Sequence, residues 1–286
     1  MQLKLPTTYQ EQIEILRSKG CIVEDPDFCE SELKRINYYR LSAYFLPFIK
    51  NANAYISGTN FRRVCQIYDF DQKLRHILLL AIDEIEIFLR SQFAYYHAHK
   101  YGALGYMDNA NYNTMHNHEK FLDLIKGEIN ANKNVLFVKH HIENYNGNFP
   151  VWVIVELFTF GMLSRFFADM PRADKKALSK TLFNENEQNI ESWLYCCNSL
   201  RNICAHYGRL YFRIFSAVPR NFPSEYKQQE RRLFASVYML KNLYPSQEKW
   251  NNEIMAQLEA LIDQYNEDID LEHIGFPENW KTVLKK

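Results

Sequence analysis

The sequence predicts an all-α fold, and three observations carry that expectation. Side chains recur at helical spacing between Asp69 and Lys100, where Leu74, Ile77, Leu78, Ala81, Ile85, Phe88, Leu89, Gln92 and Tyr96 fall on one side. Glycine and proline are scarce, 9 of each in 286 residues, which disfavours a fold of many tight turns. No segment shows a convincing strand alternation.

Taken in order, a short amphipathic helix is expected over Tyr9–Lys19, after the breaker Pro6, and a second over Glu30–Phe45, ended by Pro47. Asn51–Asn60 contains Ser57-Gly58 and reads as a loop. The long helix Asp69–Lys100 follows, then a loop over Gly102–Asn113. Helices are expected over Lys120–Asn132, Lys133–Tyr145 and, opened by Pro150, through Phe167. Ala173–Leu182 and Glu187–His206 come next, then a connector over Val218–Pro223 with its two prolines. Helices return at Ser224–Asn242 and Ser246–Asn266, before a tail with Gly275-Phe-Pro277.

Composition is that of a globular chain, 47% hydrophobic and 24% charged, with 15% aromatics that can fill a large core. One domain with appendages is expected at this length. Net charge is zero, so contact with nucleic acid must come from a local patch rather than overall charge. Charge is uneven: Asn198–Arg232 holds seven Lys/Arg against two acids, and Asn251–Lys286 holds eight acids against three lysines. That contrast suggests an acidic C-terminal segment guarding a basic one. The N-terminus lacks the apolar core of a signal peptide, and the six cysteines show no zinc spacing. A cytoplasmic protein with free thiols is expected. Phe149–Phe167 is apolar but interrupted by Glu156, which argues against a membrane span.

The sharpest local feature is Arg201-Asn-Ile-Cys-Ala-His206. Arginine supplies a permanent cation and several donors for phosphate, and histidine moves protons near neutral pH. Together they suit metal-independent cleavage of an RNA phosphodiester through its 2′-hydroxyl. On a helix Asn202 and His206 share a face, whereas Arg201 and His206 point about 140° apart. A long arginine side chain, a helix break near Gly208, or a site shared between subunits would bring them together. Arg201 falls on the apolar stripe of Ile190, Leu194, Cys197 and Cys204, so its bland reading is a salt bridge to Glu156 or Glu86. A second pair, Arg90 and His97, lies seven residues apart on one face. Glu86 and Arg90 form an i,i+4 pair there, and Leu79, Leu80 and Ile87 on the same side suggest cover by another helix or a second subunit. His116-Asn-His118 and His140-His141 match no metal-ligand spacing, so neither metal nor cofactor is expected.

Several motifs in order resemble the Abi-like family of bacterial abortive-infection proteins, of the AbiD and AbiF type. They are Ile36-Asn-Tyr-Tyr-Arg-Leu-Ser-Ala-Tyr44, Tyr68-Asp-Phe-Asp71 with Leu74-Arg75, and Glu84-x-Glu86 with Leu89-Arg90. Phe149-Pro-Val-Trp152, Glu156 and Phe160-Gly161 follow, then Leu200-Arg-Asn-Ile-Cys-Ala-His206 with Arg209-Leu210, and Ile274-Gly-Phe-Pro277. That family is similar to the HEPN superfamily. The resemblance implies a HEPN-like helical core, roughly residues 65–215, with N-terminal (1–60) and C-terminal (224–286) helical extensions. It implies an endoribonuclease in phage defence whose sites form where two motifs meet across a homodimer. Arg201, Asn202 and His206 match the motif; Arg90 and His97 fit a looser second half-site; Arg209, and with it Arg213, would contact RNA. An RNA or protein antitoxin and a phage-derived trigger are the partners implied. Two other readings stand beside the nuclease. One is a non-catalytic defence component that binds RNA or protein and signals through assembly. The other is a helical dimer in which Arg201 and His206 only lock helices.

Overall fold

The computed structural model describes residues 5–285, and its fold is all-α apart from one small hairpin. The first and last residues of the two extensions, 1–4 and 286, lie outside the described residues. Helix α1 (Tyr9–Ser18) starts in a capping box between Thr8 and Glu11. Helix α2 (Pro26–Ile36) has Asp25 as N-cap and proline in its first turn. The single helix expected over Glu30–Phe45 is broken, because Asn37 turns to φ +71° and caps a separate short helix, α3 (Tyr38–Ser42). A 3₁₀ segment over Ala43–Phe48 carries Pro47. The loop expected over Asn51–Asn60 holds half of a hairpin instead, β1 (Ile49–Asn51) against β2 (Ala54–Tyr55), with Ile49 opposite Tyr55.

Helix α4 (Phe61–Tyr101) is the axis of the molecule, 41 residues and about 60 Å long. It starts eight residues before the periodic stretch, where Asn60 accepts from the N–H groups of Arg62 and Arg63, and it stops at Gly102 (φ +82°). Ile67, Phe70, Leu74, Leu78, Ala81, Ile82, Ile85, Leu89 and Phe93 are buried along it. Helices α5 (His118–Ala131) and α6 (Leu136–Asn144) follow. The helix expected from Pro150 to Phe167 is two, α7 (Val151–Ile154) and α8 (Phe160–Asp169), parted by a 3₁₀ turn and an extended Phe158. Thr159 caps α8, so the chain restarts there.

Helices α9 (Arg172–Phe183) and α10 (Glu187–Ala205) lead to the motif. Helix α10 packs on α4, α8, α9 and on α11 (Leu233–Leu243). Helix α12 (Gln247–Lys249), a π-helical turn over Trp250–Met255 and α13 (Ala256–Gln264) run on together, and α14 (Trp280–Leu284) closes the chain. One hydrophobic cluster extends from Ile13 to Leu284. The C-terminal segment is therefore core: Trp250, Ile254, Leu258, Trp280 and Leu284 are buried. Two of its acids, Glu259 and Asp263, face Lys281, and Asp270 lies against Tyr211 of the basic stretch. Among the described residues no helix is long and apolar enough to cross a membrane.

Candidate functional site

Helix α10 brings Arg201, Asn202 and His206 to its C-terminal end. Leu194, Cys197, Leu200 and Cys204 anchor it to the core, as the stripe requires. The helix ends in a Schellman turn: Tyr207 N–H donates to Cys204 O (3.1 Å) and Gly208 N–H to Ile203 O (2.7 Å). Tyr207 occupies the left-handed position at φ +57°. A Cβ on Gly208 would stand 2.8 Å from Ile203 Cγ2 and 2.9 Å from its carbonyl oxygen, so only glycine fits there.

A buried polar hub holds the segment after this turn. Asp71, fully buried in α4, accepts from Tyr44 Oη (2.7 Å), Tyr211 N (2.7 Å), Leu210 N (3.0 Å) and Arg75 Nη1 (2.5 Å). Arg75, itself buried, also reaches Gly208 O at 3.4 Å. Arg40 of α3 donates to the carbonyl oxygen of Tyr207, with its guanidinium 6.0 Å from the Tyr207 ring. On the far side Tyr211 Oη lies 2.9 Å from His273 Nδ1 and accepts from Asp270 N at 2.8 Å. The N-terminal tyrosine box, the Tyr68–Arg75 stretch and the C-terminal turn therefore converge on one loop. The motif residues of the first two were visible in the sequence, but no local pattern tied them to one another or singled out Asp270 and His273.

The side chains of Arg201, Asn202 and His206 have no hydrogen-bond or ion-pair partner among the described residues, and Asn202 and His206 are exposed. Arg201 is half-buried beside Asp83, whose carboxyl burial and Glu86 push above its ordinary range even though the Arg201 charge opposes the rise. The salt bridge considered for it is taken: Glu86 and Glu156 both pair with Arg90. The helix break comes too late to bring the pair together. His206 N–H still donates to Asn202 O at 3.0 Å, so Arg201 and His206 keep their helical divergence of about 140°.

A helix C-terminus carries partial negative charge and by itself repels a phosphate. Here Arg201, Arg209 and Arg213, with Arg40 and Arg232 touching the loop, form no ion pair among the described residues. This end of α10 therefore gathers guanidinium groups that make no ion pair, although Asp83 lies beside Arg201 and Asp71 near Arg209.

The other predicted residues are placed elsewhere or turned inward. Arg90 spends its fork on Glu86 and on the carbonyls of Glu156 (2.5 Å) and Phe158 (2.7 Å). It satisfies the break between α7 and α8, which is why the chain can stop and restart there. His97 lies 14 residues beyond Asp83, about 20 Å along α4. It is buried among the rings of Tyr101, Tyr112 and Phe166, and burial pushes it down to about 4. In one chain neither residue joins the α10 motif. Arg209 is half-buried and donates to the carbonyls of Tyr211 (2.5 Å) and Phe212 (3.2 Å); Arg213 donates to Arg209 O at 3.3 Å. Both shape the loop.

A cleft of about 530 Å³ lies between α8 and α10, lined by Arg165, Gln188, Tyr195, Asn198 and Arg220, without Arg201 or His206. His116 Nδ1 sits 2.9 Å from buried Asp169 and its Nε2 3.2 Å from His118, a chain that ties the loop before α5 to α8. All six cysteines are free and buried, and burial raises Cys196 to about 11 and Cys204 to about 12, which leaves them poor nucleophiles.

A family model described as Abi-like protein matches residues 31–212, from the tyrosine box through the α10 motif to the loop held by Asp71. No curated protein and no solved structure matches the chain.

Proposed function

The chain belongs to the Abi-like family, which ties it to abortive infection, and on that premise we propose that it is a HEPN-type endoribonuclease acting in phage defence. One observation carries the reading: Arg201, Asn202 and His206 occupy the same helix end without hydrogen-bond or ion-pair partners among the described residues, next to further arginines that form no ion pair. A purely structural motif would use its donors inside the fold, as Arg75 and Arg90 do.

In the proposed reaction His206 takes the proton of an RNA 2′-hydroxyl. The 2′-oxygen attacks phosphorus, the bond to the 5′-oxygen breaks, and a proton returns to that oxygen. The products are a 2′,3′-cyclic phosphate and a 5′-hydroxyl. Arg201 stabilises charge on the non-bridging oxygens, and Asn202 orients His206 or the phosphate. Because Arg201 and His206 diverge, the site is assigned to two copies of the chain, each giving Arg201 to the other's His206. Leu80 and Ile87, exposed at 43% and 67% on either side of Asp83, offer apolar area for that contact.

The test is incubation of the purified protein with bacterial RNA in EDTA, beside Arg201→Ala and His206→Ala. Cleavage by the wild type alone, leaving cyclic phosphate ends, is expected. Equal cleavage by His206→Ala would refute the assignment. RNA binding without cleavage by any form would favour the component that signals through assembly.

A further inference from the structure

Six non-glycine residues among those described have a positive φ, and four of them are asparagines, which tolerate it. The other two are Phe212 and Tyr207. Phe212 is explained by packing, since its ring lies against His273 and the Arg232 guanidinium. Packing explains Tyr207 less well, since the Arg40 guanidinium 6.0 Å from its ring leaves most of that ring open. Its side chain is 68% exposed and its hydroxyl has no partner, although it fills the Schellman position that glycine takes at least cost. By contrast Tyr44, Tyr106 and Tyr211 are buried and hydrogen-bonded. A strained, largely exposed aromatic residue points to use rather than to stability. It directly follows His206, and Arg40 fixes its backbone carbonyl. Tyr39, next to Arg40, is 86% exposed.

We propose that Tyr207 is a base-stacking platform beside His206, held in place by Arg40, that takes an unpaired base of the RNA next to the scissile bond. The inference rests on the nuclease reading and specifies its substrate. A flat ring offers nothing to a duplex, whose bases are stacked on one another, but takes any unpaired base on its face. The arginines at the end of α10 would hold the phosphates on either side.

The test is binding by the full-length protein of fluorescent 2′-O-methyl oligoadenylate, which cannot be cleaved, and of a hairpin duplex of equal length. The wild type should favour the single strand. Tyr207→Gly should weaken that binding about tenfold or more. Its melting temperature should hold or rise, because glycine relieves the left-handed backbone. Tyr207→Phe should bind like wild type. Single-strand binding unchanged by Tyr207→Gly, or lost equally in Tyr207→Phe, would overturn the platform. If only Arg201→Ala then weakens binding, the RNA reading survives without it. Failure of the wild type to bind either probe would overturn both.

Discussion

Replacing Asp71 by alanine tests how the candidate site is held. The change leaves the Arg75 guanidinium, 3% exposed, without its carboxylate, and strips Tyr44 Oη and the N–H groups of Leu210 and Tyr211 of their acceptor. Breaking a buried ion pair by removing one partner costs about 3–5 kcal/mol. Each orphaned donor adds about 1–3 kcal/mol where water cannot reach it, and these costs are not additive. A loss of about 4 kcal/mol is expected in urea unfolding, a large share of a domain's stability. Much of it is the uncompensated cation. Adding Arg75→Met to Asp71→Ala should therefore recover at least about 1 kcal/mol. Under conditions where Asp71→Ala remains folded, RNA cleavage should fall with it, because the loop behind His206 loses its anchor. A loss below about 1 kcal/mol, or no recovery in the double variant, would refute the hub.

Two more predictions follow from the same geometry. His97 is neutral in the fold and depressed to about 4 from an ordinary 6.5, so its contribution to stability is intact above pH 6.5 and is lost as pH falls towards 4. The unfolded chain binds the proton first, a linkage of at most about 3 kcal/mol across that window. His97→Phe should flatten this part of the stability–pH curve in urea titrations, and an unchanged acid slope would show that other groups control it. Gly208→Ala should destabilise by about 1–3 kcal/mol and lower RNA cleavage, since its Cβ would meet the backbone of Ile203. A melting temperature equal to wild type would mean that the turn can shift.

The helical architecture was legible because α4 and α10 carry long periodic stripes free of glycine and proline. Helix α10 matches its expected span to within one residue, with His206 as the cap rather than the last helical residue. The breaks were less legible. Asn37 and Thr159 start new helices through local side-chain hydrogen bonds that periodicity does not register, and Arg90 meets the second break from 66 residues away. The motif on α10 could be read as a spacing, and its orientation as an angle. Its setting depends on Arg40, Asp71 and Arg75, which meet the loop across 133 to 167 residues of chain. The spacing of Arg90 and His97 is real on the helix. What that spacing cannot report is that α7 and α8 use up one donor set and an aromatic cage buries the other. The charge of the acidic C-terminal segment was legible, whereas the burial of its Trp250 and Trp280 faces was not.

The central claim is that Arg201 of one copy and His206 of another make one RNA-cleaving site. Mixing Arg201→Ala with His206→Ala protein, after dissociation and reassociation, tests it most directly. Half of the dimers would be mixed, and each mixed dimer would carry one intact site of two. The account predicts that the two inactive proteins together regain roughly a quarter of wild-type cleavage, by mass action on random pairing. Exchange of subunits with no return of activity would contradict it.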